Sequence, residues 1–531
     1  MTIASVKYKM IIGLLSAFSF VSCFKGVESP GKTAKDFGLN LSVSDLSEKY
    51  AVIVNDTLKI APIVKDKDGA PIDTSMYDAI WILRSSNSFY NSSGRPIDTL
   101  RGFNLHYPAT LQYSGDYLWE YKITNKSNGL FYSKAFSVNT FMPTLDCFYF
   151  LSQTAVGESR LSGVYYDRSI SDYDTITDMI GYMQNTVLKS PTLYRLKGNP
   201  LFLSNGFTSA LGEISMGYFL SVATDESATL LNANFLAPRR KLEDITDSAF
   251  FDFKFLMSEE DPDSYASTKI LAFEENSQEP LLLNYDHKLY ISDYSDVFEK
   301  ASIYIPGTDD TELKLSKWLF YSNDPYESHR VVFDENTQRF FMLSVESSHV
   351  DVNTFTIPYS DKKKLLFGTY SEYSGGRGYA VMQNNDNDST FLLVFDLNAK
   401  LYAYKPLREN GITENTQFAV SNTYGHLFYN VGSKVYEYDV NKGASIEMLD
   451  FGNREISYMS AIKSPVFATE EVNSRFKALS ETIVVSSYDK GNLKNSGTVD
   501  FYKVPAANQK IYSIASFSGF GRVVSMVYMN I

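Results

Sequence analysis

Short runs in which apolar and polar residues alternate recur along most of the chain, and this period of two predicts strands rather than helices. Residues 79–83 form a near-continuous apolar run of the kind that fills a buried strand. Within residues 114–124 every second side chain is large and apolar, namely Tyr117, Trp119, Tyr121 and Ile123. Residues at this spacing share one face of a strand. We therefore expect these side chains and Trp81 to pack in a core rather than to stack on a carbohydrate.

The pattern between residues 38 and 142 predicts a first globular unit with an immunoglobulin-type β-sandwich. Asp68 and Gly69 form a dipeptide typical of tight turns, and residues 125–129 supply another turn before the last strand. Gly115 and Tyr117 resemble the tyrosine corner of immunoglobulin-like folds. The segment contains no cysteine, so a disulfide between its two sheets is excluded.

A basic residue followed by alternating aromatic residues recurs between residues 143 and 531. Copies begin at Lys288, Arg339, Lys400 and Lys434, with a weaker one at Val499. Their separations are irregular, but they bracket the period of roughly 40–50 residues of a four-stranded propeller blade. The segment is long enough for about seven such blades. The predicted fold is therefore all-β, a sandwich followed by a β-propeller-like domain, and two stacked sandwiches are the alternative to the propeller.

Residues 1–22 have the pattern of a bacterial lipoprotein signal peptide. Two lysines precede a mostly apolar stretch, residues 10–21, which is too short to span a membrane comfortably. Ser22 and Cys23 resemble the lipobox at which such a signal is cleaved, so Cys23 is the predicted lipidation site. Several acyl chains on one cysteine anchor a protein stably, whereas a single chain does not. Residues 23–37 have no hydrophobic period and are predicted to form a flexible tether.

Composition narrows the range of partners. The 531 residues carry a net charge of −13, and 44% of them are hydrophobic. The hydrophobic content suits a chain with sizeable cores and excludes a disordered one. The acidic balance argues against nucleic acid as a partner, because such binding depends on basic patches. Two cysteines exclude a disulfide-rich scaffold and a cysteine-rich zinc module.

Taken together, these segments resemble the PKD-like lipoproteins of Bacteroidetes. The resemblance covers essentially the whole chain and rests on the lipobox, on Trp81 with the strand that carries Gly115, Tyr117, Tyr121 and Thr124, and on four short segments, residues 46–50, 58–62, 148–152 and 159–162. It implies an outer-membrane lipoprotein, on the cell surface or the periplasmic face, with a PKD-like sandwich over residues 38–142 and often encoded beside an uptake complex of the SusC/SusD type. It implies no catalytic residues.

The sequence contains no local motif for catalysis. Residues 375–378 are rich in glycine but lack the spacing of a phosphate-binding loop. Cys147 is interpreted as a buried structural cysteine. Acidic groups at residues 259–261, 274–275 and 470–471 are interpreted as solvated loops, because neighbours on a strand point to opposite faces. We therefore predict no catalytic residue and no cofactor.

A metal site is not predicted either. No two histidines stand at the spacing of a zinc motif among the five of the chain, His106, His287, His329, His349 and His426. Asn384, Asp386 and Asp388 resemble the start of a calcium loop. However, Ser389 stands where such a loop has glycine, and Phe395 stands where it has glutamate.

The leading hypothesis is a non-catalytic accessory lipoprotein of a nutrient uptake system. In this interpretation the membrane is a partner through the lipid anchor, the sandwich is a stalk, and the propeller binds a glycan or a peptide or docks onto a SusC/SusD-type complex. One alternative is a glycan-cleaving hydrolase or lyase on a propeller scaffold, whose residues converge from separate blades. Another alternative is a purely structural partner of a transporter.

Overall fold

The computed structural model describes residues 41–85, 96–109, 115–190, 194–208, 217–241, 304–307, 311–321, 329–346, 349–407, 411–440, 442–462, 478–506 and 509–530, together with short strands between residues 260 and 301. The chain divides into two compact units, residues 1–141 and 142–531. Strands dominate both units. The described helices are all short, and none of them has the length and apolar character that a membrane span requires.

Nine strands build the described part of the first unit. They are β1 (Ser42–Ser44), β2 (Lys49–Ile53), β3 (Thr57–Ile60), β4 (Ile63–Lys65), β5 (Tyr77–Ser85), β6 (Asp98–Arg101), β7 (Leu105–Pro108), β8 (Gly115–Asn125) and β9 (Phe131–Phe141). Five of them form one sheet in the order β2-β9-β8-β5-β6, in which β2 runs parallel to β9. Two short antiparallel ladders, β1-β4 and β3-β7, complete the described strands, and a 3-10 turn (Thr74–Met76) precedes β5.

The core of this unit is built on the aromatic face predicted from the period of two. Trp81 of β5 and Tyr121 of β8 are fully buried, and their rings stack with centroids 4.1 Å apart and planes at 25°. The indole Nε1 of Trp81 donates a hydrogen bond to the Gly102 carbonyl at 2.9 Å, so the polar atom of this buried ring is satisfied. The β3-β7 ladder adds Leu58 and Leu105 to the same core. The prediction that these aromatics pack inside is confirmed.

The second unit begins with β10 (Asp146–Ala155), β11 (Glu158–Asp167) and β12 (Asp172–Ile176). A short α-helix, α1 (Met179–Tyr182), then continues into a π-helical turn (Met183–Leu188). Seven four-, three- or two-stranded groups follow in chain order, and their strands are β13 (Pro200–Thr208), β14 (Gly217–Thr224), β15 (Ala228–Asn232), β16 (Pro238–Lys241), β17 (Glu260–Asp261), β18 (Ser267–Thr268), β19 (Leu281–Tyr285), β20 (Lys288–Ser292), β21 (Glu299–Ala301), β22 (Leu315–Tyr321), β23 (His329–Asp334), β24 (Arg339–Glu346), β25 (His349–Phe355), β26 (Lys363–Ser371), β27 (Arg377–Asn384), β28 (Thr390–Phe395), β29 (Leu401–Leu407), β30 (Phe418–Val420), β31 (Leu427–Val431), β32 (Lys434–Asp439), β33 (Ala444–Asp450), β34 (Glu455–Ala461), β35 (Thr482–Tyr488), β36 (Gly497–Lys503) and β37 (Tyr512–Phe520).

The last strand, β38 (Arg522–Asn530), returns to the first sheet of this unit and pairs antiparallel with β10. The resulting sheet has the order β12-β11-β10-β38, so both ends of the unit share one four-stranded sheet. The hydroxyl of Tyr528 donates to Asp146 at 2.7 Å, and the rings of Tyr528 and Phe148 lie 4.4 Å apart. These contacts lock the closing strand in register and close the unit on itself.

The other four-stranded sheets of the unit are simple antiparallel meanders: β13-β14-β15-β16, β22-β23-β24-β25, β26-β27-β28-β29, β30-β31-β32-β33 and β34-β35-β36-β37. The first strands of these sheets, with β38, line one central cavity, which we call the channel. Successive four-stranded meanders around a channel, closed by a shared sheet, are the topology of a β-propeller. The prediction of a β-propeller-like unit is confirmed at this level, in preference to two stacked sandwiches.

The structure also explains why the repeated sequence element is irregularly spaced. The copies at Arg339, Lys434 and Val499 lie on the third strands of their sheets, β24, β32 and β36. The copy at Lys400 instead leads into β29, the fourth strand of its sheet. The same alternation of aromatic residues therefore marks two different positions in the repeat, and the distances between copies do not measure one blade.

Cys147 lies in β10 and is fully buried, as predicted for a structural cysteine. A Cβ added to Gly163 on the paired strand β11 would approach the Cys147 sulfur to 2.7 Å, so the glycine makes room for the thiol. Burial raises the pKa of this thiol well above its ordinary value, with a smaller contribution from Asp146. The thiol is therefore neutral and unreactive in the folded protein.

Candidate functional site

In the described part of the chain, no three His, Cys, Asp or Glu side chains are placed to hold a metal ion. The histidines there therefore form no metal centre with such neighbours. His106 is exposed on β7. His329 and His349 belong to β23 and β25, whereas His287 lies outside the described residues. Cys23 and the acidic pairs at 274–275 and 470–471 also lie outside them.

His426 has a carboxylate neighbour that the linear sequence does not reveal. Its Nδ1 lies 3.1 Å from Oε1 of Glu437 on β32, and the Glu437 side chain is 0% exposed. Apart from His426, the Glu437 oxygens have no hydrogen-bond partner among the described residues. A ligand cannot reach a carboxylate that is completely enclosed. We therefore interpret the contact between His426 and Glu437 as structural.

The segment that resembles a calcium loop forms the hairpin between β27 and β28. Oδ1 of Asn384 accepts a hydrogen bond from the amide of Asp386 at 2.8 Å. Oδ1 of Asn387 accepts one from the amide of Ser389 at 3.1 Å. These side-chain oxygens close the turn, in the manner of Asx turns.

This hairpin forms one wall of a wide, open groove with a volume of about 910 Å³. Residues 387–391 of the hairpin face residues 411–415, which lead into β30, and residues 406–407 at the end of β29 lie between them. The polar side chains of the walls are amides, hydroxyls and carboxylates, namely Gln383, Asn387, Asp388, Ser389, Thr390, Thr413, Glu414 and Asn415. The groove can therefore donate and accept several hydrogen bonds at once.

The wall formed by residues 411–415 is held in shape by its own hydrogen bonds. The amide of Thr413 donates to Oγ1 of Thr416 at 3.0 Å, and the amide of Asn415 donates to Oγ1 of Thr413 at 3.2 Å. Gly411 has a φ of 103°, and a Cβ there would lie 2.8 Å from Val431. A glycine is required at this position, because the backbone conformation and the close approach both exclude a side chain.

Three aromatic rings extend from the groove to the surface, and we call them the aromatic row. Phe391 of β28 lines the groove and stacks on Tyr404 of β29, with centroids 5.0 Å apart and planes at 15°. Tyr404 stacks in turn on Tyr359, at 4.6 Å and 12°. Tyr359 is 61% exposed. The row is thus a stack of nearly parallel rings that leads from the groove to an exposed tyrosine.

Two lysines set the charge beside the row. Lys363 lies over the rings of Phe391 and Tyr404 at 5.8 and 5.9 Å, and its Nζ donates to the Tyr359 carbonyl at 2.6 Å. This hydrogen bond ties the loop that carries Tyr359 to the row. Lys364 forms an ion pair with Glu414 in the opposite wall. The Glu414 charge is therefore compensated, and the groove is close to neutral apart from Asp388.

Burial shifts the ionisation of the central ring. It raises the pKa of Tyr404, and the neighbouring Tyr359 adds a smaller effect in the same direction. The Tyr404 phenol is accordingly neutral at physiological pH. Phe391 and Tyr359 both stack on this ring, so Tyr404 supports the row and adds no charge to it.

No protein-family model and no curated protein sequence matches the chain. Among solved structures, a quinoprotein alcohol dehydrogenase-like protein from Bacteroides thetaiotaomicron is similar over 91% of this chain and 97% of its own, with 9% identity and a TM-score of 0.39. The β-propeller domain of a Swd1 protein from Myceliophteria thermophila is similar over 69% of this chain and 98% of its own, with 9% identity and a TM-score of 0.37. Similarities this low carry no information about what the chain binds.

Proposed function

We propose that this chain is a membrane-anchored, non-catalytic binding lipoprotein and that its β-propeller-like unit binds a glycan in the groove. The observation that carries the proposal is the aromatic row, which opens onto a groove lined by amide, hydroxyl and carboxylate groups. Of the two ligands that the sequence suggests, glycan or peptide, the row favours the glycan.

The physical argument concerns the two kinds of surface that a sugar presents. A pyranose ring has an apolar face of C–H groups, which packs on the face of an aromatic ring, and a rim of hydroxyls, which need hydrogen-bond partners. Tyr359 stacks on Tyr404 with one face and is 61% exposed, so its other face is the one on which a sugar ring can pack. A preformed site with an aromatic platform and a few placed polar groups is the usual architecture of a small-ligand site.

The remaining parts of the proposal concern the anchor and the domains. Residues 1–22 are removed as a signal peptide, Cys23 carries the lipid, and residues 23–37 act as a tether. Residues 38–142 form an immunoglobulin-like or PKD-like stalk, which the buried Trp81 and its five-stranded sheet support. Residues 143–531 form a propeller of seven blades, and the strands β17 to β21, between the first and second of the meanders in chain order, supply the seventh.

The proposed location is the outer membrane, and the proposed role is an accessory component of a SusC/SusD-type uptake system. In this role the head binds glycan and keeps it near the transport complex. The ion pair between Lys364 and Glu414 leaves the groove nearly neutral, which suits an uncharged glycan better than a polyanion.

The groove is tested by calorimetric titration of the purified protein with neutral oligosaccharides, acidic oligosaccharides and peptides. We expect binding of a neutral oligosaccharide, recovered uncleaved. Tyr404→Ala should weaken it about tenfold, equivalent to ~1.4 kcal/mol, because the central ring of the row is lost.

The matched control is Tyr512→Ala, which removes an exposed tyrosine of β37 that is not part of the groove. It should leave the affinity unchanged. Unaltered affinity in Tyr404→Ala would place the ligand elsewhere, and recovery of a shortened glycan would show an enzyme instead of a binding protein.

The anchor is tested separately. The substitution Cys23→Ser should move the protein from the membrane fraction to the soluble fraction and abolish incorporation of labelled palmitate, because the thiol that accepts the lipid is gone. Membrane association that persists in Cys23→Ser, with no palmitate in the unaltered protein, would contradict lipidation at this residue.

A further inference from the structure

The channel of the β-propeller-like unit is a cavity of about 370 Å³. This volume lies near the lower end of the range of roughly 300–1,000 Å³ that small-molecule sites occupy. Its lining comes from six strands, β13, β22, β26, β30, β34 and β38, so no single segment of sequence encodes it.

The walls of the channel contain an aromatic cluster around a tryptophan. Trp318 of β22 is half-buried and packs edge-on against Phe367 of β26, with centroids 5.0 Å apart and planes at 69°. Phe367 stacks on Phe418 of β30 at 5.3 Å and 25°. The cluster therefore spans three neighbouring sheets, and Trp318, which is not fully buried, lines the cavity.

Other apolar side chains of the channel also remain accessible. Leu201 is 38% exposed, and Val524, Met526 and Tyr458 are only partly buried. All four line the cavity. Apolar surface that stays in contact with water inside a cavity is surface that a ligand can bury, at a gain of roughly 25 cal/mol per Å².

Polar and apolar groups share the lining of the channel, and two of its hydroxyls donate to the next residue of their own strand. Oγ1 of Thr369 donates to the Tyr370 carbonyl at 3.4 Å, and Oγ of Ser460 donates to the Ala461 carbonyl at 3.2 Å. Each hydroxyl oxygen keeps lone pairs that can accept a hydrogen bond from a ligand. Among the described lining residues, Glu414 alone carries a charge, and Lys364 pairs with it. A neutral ligand is therefore favoured over an ion.

The shape of the channel is fixed by close packing. A Cβ added to Gly368, which lines the channel on β26, would lie 2.5 Å from Cζ of Phe320 and 2.9 Å from Cβ of Trp318. The side chains of Trp318 and Phe320 on β22 thus occupy the space that a side chain at Gly368 would need. Preformed walls lower the cost of ordering a site when a ligand binds.

We propose that the channel is a second binding site, distinct from the groove although Glu414 lines both, for a small, neutral molecule that has an apolar part and a hydroxyl. The apolar part lies against Trp318, Leu201 and Met526. Its hydroxyl donates a hydrogen bond to the Thr369 or Ser460 oxygen. The proposal does not depend on the glycan function of the groove.

The placement of the tryptophans makes the proposal testable by fluorescence. The chain has three tryptophans, and Trp81 and Trp119 are enclosed in the core of the first unit. A bromoalkanol of eight carbons is a suitable probe, because its bromine quenches an indole that it touches. We expect saturable quenching of the Trp318 emission, and we expect the same alcohol without bromine to reverse it by competition.

Three variants separate the channel from other sites. Trp318→Phe should remove the saturable quenching, because the reporter is lost, while the alcohol without bromine still binds in calorimetry. Met526→Phe should weaken that calorimetric binding more than about tenfold, because the larger ring fills the cavity. Tyr404→Ala, in the aromatic row, should leave both signals unchanged.

Two results would overturn the proposal. One is quenching that rises linearly with the probe and never saturates, as free collisions produce. The other is saturable quenching that survives in Trp318→Phe, which would place the probe beside another tryptophan. The groove is tested with glycans and the channel with an alcohol. A negative result with the alcohol therefore does not contradict the proposed glycan binding, and a negative result with glycans does not contradict the channel site.

Discussion

Two pairs of stacked aromatic rings, one in each unit, have nearly the same geometry and opposite surroundings. Trp81 and Tyr121 stack at 4.1 Å and 25°, and Tyr359 and Tyr404 stack at 4.6 Å and 12°. Trp81 is 0% exposed, whereas Tyr359 is 61% exposed. The ring geometry is therefore not what separates a core from a binding surface. Access to solvent separates them.

The different exposure follows from the elements that carry the rings. Trp81 and Tyr121 lie directly opposite each other on paired strands, β5 and β8, in the middle of the five-stranded sheet. Tyr359 comes instead from the loop between β25 and β26, where its φ is 68°. Side chains of loops lie at the surface and commonly carry function, whereas side chains within a sheet are held by packing.

The largest effect is expected from the buried pair. Trp81→Ala should lower the free energy of unfolding by about 3–5 kcal/mol, because it removes one of the two indole rings of the first core and leaves a cavity. Chemical denaturation followed by circular dichroism measures this loss. Ile63→Ala, at an exposed position of β4, is the control and should change stability by less than about 0.5 kcal/mol. An equally small loss in Trp81→Ala would show that this ring is not central to the core.

The exposed pair should respond in the opposite way. Tyr404→Ala should reduce glycan affinity about tenfold and cost less stability than Trp81→Ala, because Tyr404 is only partly buried and stacks on Phe391, which lines the open groove. When both variants are measured in both assays, Trp81→Ala should show the larger loss of stability, and Tyr404→Ala should show the larger loss of glycan affinity. If Tyr404→Ala lowered stability as much as Trp81→Ala, the aromatic row would be a second core and not a binding surface.

The sequence predicts the buried pair but not the exposed one, and the reason is physical. Tyr121 belongs to a period of two within one strand, and such local alternation decides which face is buried. Tyr359, Tyr404 and Phe391 come from a loop and two strands, and their stacking depends on the register between these elements. Local patterns do not contain that register. The repeated basic and aromatic element marks the strand that holds Tyr404, yet it does not show which of its rings meets Tyr359.

The same limit applies to the closed arrangement of sheets in the propeller-like unit and to the channel that they enclose. The repetition of short strands is visible in sequence and predicts a propeller. The pairing of β38 with β10, however, joins segments from opposite ends of the unit, and no local signal records it. Trp318 looks like any core aromatic in the sequence. Its position in the channel becomes visible only when six strands are assembled.

The smallest change in stability is expected when the hydroxyl of Tyr121 is removed. This substitution tests what burial does to one ring of the buried pair. This hydroxyl is buried and has no hydrogen-bond partner among the described residues. Tyr121→Phe removes an unsatisfied polar group, so stability at pH 7 should stay the same or rise by up to about 1 kcal/mol.

The same variant should change how stability depends on pH. Burial, and to a smaller degree Tyr132, raises the pKa of Tyr121 above its ordinary value of 10.0. Above pH 10.0 the unfolded chain therefore loses this proton while the folded chain keeps it, and the stability of the unaltered protein falls as the pH rises. Tyr121→Phe should make the decline shallower in denaturation curves measured on both sides of pH 10.0. Part of the decline should remain in Tyr121→Phe, because burial also raises the pKa values of Tyr107 and Tyr132. An equally steep decline in Tyr121→Phe would mean that the Tyr121 phenol ionises as easily in the core as in water.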